Sequence, residues 1–231
     1  MFGIKRGFTL AEVLITLVII GIIAAMTIPS LINQTNEQET VVAVKKAYSV
    51  FAQAYQKLIA INGEIYPQNL DSDASRRSKT VGEMFVKQLN VQKICGLSTN
   101  GDCFAPEVYK YFNGEDFSSF NQAANDYKFR LSDGMSVGIY MFSNYENYGD
   151  SDMLNSVIGY VYFDVNGDKK PNTLGKDTFT FWITKNGILP LGTVDDNAYD
   201  FSSCYTTGHG CAAWVVTKGN MDYLRREVSW Q

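Results

Sequence analysis

From Phe8 to Ile28 nearly every side chain is apolar, and between Glu12 and Glu37 none is charged. As a helix this segment would rise about 31 Å, matching a hydrocarbon core of ~30 Å. The pattern predicts a transmembrane helix over residues 8–30. Lys5 and Arg6 precede it, and basic residues at that end hold an N-terminus in the cytoplasm and send the remainder outward. Pro29 lacks a backbone donor and crowds the preceding turn, so a kink or local melting is expected there. From Val41 the pattern becomes a stripe, Val41, Val44, Tyr48, Phe51, Tyr55 and Leu58, with Lys45, Lys46, Gln53, Gln56 and Lys57 between. Residues 31–62 therefore read as an amphipathic continuation of the helix, stopping at Asn62-Gly63. Its stripe is too short for a coiled coil and is expected to pack on the chain's own sheet.

Past Gly63 the periods shorten. The polar string at residues 71–79 reads as an exposed loop, followed by a short helix in which Thr80 and Glu83 have capping-box spacing. Tyr127, Phe129 and Leu131 alternate with polar residues, Asp133-Gly134 turns the chain, and Met135, Val137, Ile139 and Met141 resume the alternation. That is a hairpin pattern. Val157 to Asp164 and Thr178 to Thr184 read as further strands, the second followed by Asn186-Gly187 and an edge segment containing Pro190. Residues 63–231 are thus expected to form a β-rich body, an antiparallel sheet carried on the second half of the helix, which makes the chain α+β.

Composition adds three restrictions. The 20 basic and 24 acidic side chains give a net charge of −4, which leaves no broad basic surface for nucleic acid. Most of the 31 aromatic residues lie beyond Tyr109, in the body. The only histidine is His209, so nucleophile–histidine arrangements have one available base, and no phosphate-cradling glycine motif opens a helix. No enzymatic constellation is expected.

Four cysteines occur as two local pairs, Cys95 with Cys103 and Cys204 with Cys211. Outside the cytoplasm these can form disulfides, and the local pairing is favoured among three connectivities because each closes its own loop. A zinc site using His209 is the rival, although neither pair has the usual metal-ligand spacing. Asp164, Asn166, Asp168 and Asp177 gather oxygen ligands in a turn-rich loop that suits calcium. Its glycine and closing residue do not match an EF-hand, and a hairpin connection with side-chain turns explains the same residues.

Glu12 stands inside the apolar run, where a carboxylate costs about 2.5–3.5 kcal/mol on insertion scales. A secretory signal peptide, suggested by the small residues Ala24 and Ala25, gives it no role. The string Gly7-Phe8-Thr9-Leu10-Ala11-Glu12-Val13-Leu14, with Gly21 and Pro29 further on, resembles the N-terminus of type IV prepilins and type II secretion pseudopilins. The resemblance covers about residues 1–32. It implies a pilin-like lollipop fold and removal of residues 1–7 by a prepilin peptidase that cuts between Gly7 and Phe8. The same enzyme would methylate the Phe8 amine. Glu12 would pair with the Phe8 ammonium of a neighbouring subunit, and Gly21 and Pro29 would be the helix-loosening residues. The implied partners are other pilin or pseudopilin subunits, the inner-membrane assembly platform and inner-membrane lipid. Calcium in the loop gains support from the same resemblance. Cutting removes Lys5 and Arg6 and shifts the net charge from −4 to −6. A filament subunit is the expected function, minor or specialised for its length and cysteine loops; the alternative is a membrane-anchored extracytoplasmic binding protein of the same machinery.

Overall fold

The computed structural model describes residue 7 and residues 9–99, 102–117 and 120–230. Phe8, one side of the expected cleavage, lies outside them, as do Lys5 and Arg6. The chain divides into two units, Met1–Glu39 and Thr40–Gln231.

Helix α1 runs through Leu10–Asn62. It begins at a reciprocal cap: Glu12 Oε2 accepts from the backbone N–H and hydroxyl of Thr9, each at 2.8 Å, while Glu12 N donates to Thr9 Oγ1 at 3.2 Å. It ends where Gly63 turns into the left-handed region at φ 81° and its N–H closes on Ile59 O at 2.9 Å. Of the kink or local melting expected at Pro29, the melting is absent: the helix continues through it. Proline removes one hydrogen bond, and the apolar turns on either side, Thr27-Ile28 and Leu31-Ile32, remain helical.

In the body, helix α2 (Ala74–Val86) precedes strands β1 (Val91–Gly96), β2 (Tyr109–Lys110), β3 (Asp116–Phe117), β4 (Tyr127–Leu131), β5 (Ser136–Glu146), β6 (Val157–Asp164), β7 (Thr178–Thr184) and β8 (Gly187–Pro190). Helices α3 (Ser202–Thr206) and α4 (Cys211–Lys218) follow. Strands β1-β4-β5-β6-β7-β8 form an antiparallel sheet in that order, and β2 and β3 pair separately.

The polar segment at residues 71–79 is not a loop: α2 starts inside it. Asp73 caps the helix by accepting from Arg76 N at 3.1 Å. Arg77 and Ser78 are buried because they satisfy β5, Arg77 Nε donating to Met141 O at 3.3 Å and Met141 N donating to Ser78 Oγ at 3.1 Å. Thr80 is mid-helix and donates to Arg76 O, so it caps nothing.

Each face of the sheet covers a core. On one side Val41, Val44, Ala47, Phe51, Ala54, Tyr55 and Leu58 of α1 are buried against Val137, Ile139, Met141, Val161, Phe163, Phe181 and Ile183. Phe51 packs on Phe85 at 4.5 Å between ring centroids and on Phe163 at 4.9 Å. The Tyr55 hydroxyl donates to Thr184 O at 2.7 Å, fixing the helix on the end of β7. The alternate residues of the same strands, Tyr140, Phe142, Tyr160, Tyr162 and Trp182, turn to the opposite face. There the connecting segments around Phe104, Tyr109, Phe120, Leu191 and Tyr199 cover them.

Candidate functional site

The first candidate is the N-terminal half of α1. Its large apolar side chains from Leu10 to Ile32 are exposed, Leu10 at 79% and Leu31 at 65%. The helix is long and apolar enough to cross a membrane, and none of its most apolar stretch is buried. So much contiguous apolar surface needs lipid or other helices around it. Within this stretch, Glu12 supplies the single acid. In the lone chain its carboxylate serves the capping box with Thr9, a signal the spacing Thr9-x-x-Glu12 carries and the sequence reading passed over in favour of processing. Gly21 has open space around the position of a missing Cβ, so nothing within the chain demands glycine there; close approach of another helix would.

The cysteines close as two local pairs, Cys95–Cys103 and Cys204–Cys211, and no described cysteine is free. This rules out the zinc rival. His209 sits instead among aromatic rings, 4.8 Å from Tyr199 and 6.3 Å from Tyr111 between centroids, and burial pushes its pKa down to about 4. It is neutral at pH 7, and its Nδ1 has no hydrogen-bond partner.

Of the four expected calcium ligands, Asp164, Asn166 and Asp177 stay together and Asp168 leaves them. Asp164 and Asp177 are buried side by side. Asp164 accepts the hydroxyl of Tyr109 and the N–H groups of Asn166 (3.2 Å) and Gly167 (2.9 Å). Burial, with the neighbouring charge of Asp177, pushes its pKa up to about 8. Asp177 accepts from Asn172 N and Thr173 N, both at 2.7 Å, and from Asn166 Nδ2 at 3.2 Å; burial raises its pKa too. Asp168 is elsewhere, exposed and gripped at both oxygens by Arg130, which lowers its pKa. It is not available to the loop. Among the described residues no three His, Cys, Asp or Glu side chains gather as a metal site. The oxygens Asn166 Oδ1 and Asn172 Oδ1 are nevertheless buried without partners. Two carboxylates and two orphaned amide oxygens form a hard donor set that fits calcium, with Asn172 in place of Asp168.

A third feature escaped the sequence reading. On the face of the sheet away from α1 lies a cavity of about 450 Å³. Tyr162, Trp182 and Asp126 are among its buried lining residues, and Phe142, Tyr148 and Tyr160 are half-buried around it. Gly138 makes room for the Tyr162 ring: a Cβ there would lie 2.1 Å from it. Among the described residues, the one side-chain hydrogen bond to Asp126 is from the Tyr162 hydroxyl at 2.9 Å, and burial pushes its pKa up to about 6. Trp182 is locked by Nε1 donating to Asp196 Oδ2 at 2.8 Å and by stacking on Tyr148 at 4.7 Å. The signal for this face is the run of apolar and aromatic residues with no alternation in β6, VIGYVYF, which marks a strand buried on both sides.

Compared with known families, residues 4–28 match the prokaryotic N-terminal methylation motif. This match, with the apolar helix that follows, supports the type IV pilin and pseudopilin family and fits a single-pass membrane-anchored protein. The motif implies processing by prepilin peptidase and assembly with other pilin subunits. No curated protein and no solved structure matches the chain.

Proposed function

We propose that this chain is a structural subunit, minor or specialised, of a type IV pilus or type II secretion pseudopilus. It is cut between Gly7 and Phe8, methylated on Phe8 and assembled through the first half of α1. One observation carries the reading: an exposed apolar helix segment, residues 10–32, whose single acid, Glu12, lies inside a methylation motif, five residues along once the chain is cut after Gly7. Before assembly the apolar surface is kept in the inner membrane, with Lys5 and Arg6 in the cytoplasm and the body outside. The inner-membrane assembly platform then lifts the subunit out of lipid. In the filament, neighbouring helices replace lipid around Leu10 to Ile32, and the Phe8 ammonium of one copy meets Glu12 of another. Methylation leaves that ammonium charged, so the attraction persists. Deleting the prepilin peptidase in the native host should hold the chain in the membrane at full length; filaments containing the uncut chain would contradict the reading.

The calcium reading has its own observation, the two orphaned amide oxygens beside Asp164 and Asp177. Calcium held by Asp164, Asp177, Asn166 and Asn172 would fix the loop between β6 and β7 by neutralising its buried carboxylates. The full chain should melt at a higher temperature in calcium than in chelator; superimposable melting curves remove the metal.

A further inference from the structure

We propose that the cavity on the outer face of the sheet binds an organic cation, a quaternary or alkylated ammonium group of the choline class, with Asp126 as its counter-charge. The proposal goes beyond the filament role and does not rest on it.

This half-open cavity of about 450 Å³ falls within the range of ligand sites, roughly 300–1,000 Å³. Its lining decides the ligand class. Aromatic rings dominate, and neither lysine nor arginine is among the lining residues described. Ring faces carry the negative side of a quadrupole, so the wall attracts cations and repels anions. Asp126 adds a carboxylate that is 4% exposed and has no ion pair among the described residues. Buried carboxylates are normally paired. The nearby ammonium of Lys128 is turned to the carbonyls of Ser98 and Ala123 instead. A soft cation seated on the rings would supply the missing partner. The site is also built in advance, since Trp182 is held by Asp196 and Tyr148, and Tyr162 by Asp126.

The groups facing Asp126 are Tyr162, which donates to it, Lys128 and Tyr160, which interact with it through charge, and His209 on the same cavity wall, neutral above its lowered pKa. Above about pH 6 the carboxylate is ionised and available to a cation.

The test uses the full chain in a non-ionic polyoxyethylene detergent, titrated with choline and with 3,3-dimethylbutan-1-ol, its uncharged isostere. Tryptophan fluorescence, to which Trp182 on the cavity wall contributes, and calorimetry are the readouts. Choline should bind saturably, with the isostere weaker by about tenfold or more. Asp126→Asn, which keeps an acceptor for Tyr162, should remove that discrimination while retaining the folded-state near-ultraviolet circular dichroism. If that variant does not fold, Tyr148→Leu on the cavity wall should weaken choline instead. Choline binding should also fade as pH falls through about 6. Equal affinity for the isostere, saturation by a neutral glycoside without choline binding, or no saturable binding at all would overturn the proposal.

Discussion

Glu12 caps α1 in the single chain and is proposed to pair with Phe8 in the filament, and substitutions at Glu12 and Thr9 tell the two roles apart. In the single chain its carboxylate accepts from Thr9 N and Thr9 Oγ1, both at 2.8 Å, and its backbone N–H donates back to Thr9 Oγ1 at 3.2 Å, closing a capping box. Losing such a cap costs about 0.5–2 kcal/mol of helix stability. In the filament the same carboxylate is proposed to meet the Phe8 ammonium of a neighbour, and removing one partner of a pair in low dielectric costs about 3–5 kcal/mol. At 1.4 kcal/mol per tenfold, that is roughly a hundredfold to several thousandfold in subunit association. Glutamine can still close a capping box, but it carries no charge. Glu12→Gln should therefore insert, be processed and keep its helix start, yet yield few or no sheared filaments. Glu12→Ala should also insert and be processed without assembling, although it loses the carboxylate half of the cap as well, and Thr9→Ala, which loses the cap alone, should assemble close to the wild-type level. The assay is the processed subunit in the membrane fraction against the subunit recovered in the sheared fraction. Wild-type assembly by Glu12→Gln, with failure of Thr9→Ala, would refute the reasoning and leave Glu12 as a cap.

Two other perturbations test the body. Phe51→Ala should destabilise the body by about 3–5 kcal/mol, because Phe51 is fully buried between Phe85 and Phe163 and its removal opens a cavity; chemical denaturation measures this. Asp126 has a folded pKa of about 6 against an ordinary 3.8, so the folded protein holds a proton that the unfolded chain releases between those values. Its contribution is fully present below the unfolded pKa and is lost as pH rises through about 6, an order-of-magnitude change of 3 kcal/mol, roughly. Asp126→Asn should therefore gain stability relative to wild type between pH 4 and 7; a pH-independent difference in denaturation midpoint would contradict the shift.

The elements most legible in the sequence were those whose pattern and punctuation agree. Val157–Asp164 and Thr178–Thr184 are strands with those bounds, and Asp133-Gly134 turns the hairpin between β4 and β5. The Val41 to Leu58 stripe is the buried face of α1, widened by Ala47 and Ala54. What stayed hidden depends on tertiary partners. Arg77 and Ser78 look like loop residues until the backbone of Met141 gives them hydrogen bonds. Strand β1 is short, carries Gln92 and Lys93 and pairs irregularly at the sheet edge, so no alternation marks it. Helix α4, eight residues long and fixed at its start by Cys211, is too short for its period to stand out. Asp126 and His209 are far apart in the chain, and only the cover over the outer sheet face brings them to one cavity.

The central claim concerns the start of the mature chain. Mass spectrometry of the protein taken from its native membrane or filament measures it directly. The account predicts a chain that begins at Phe8 and carries one methyl group on its α-amine. An intact Met1, or a chain cut near Ala25, would contradict it.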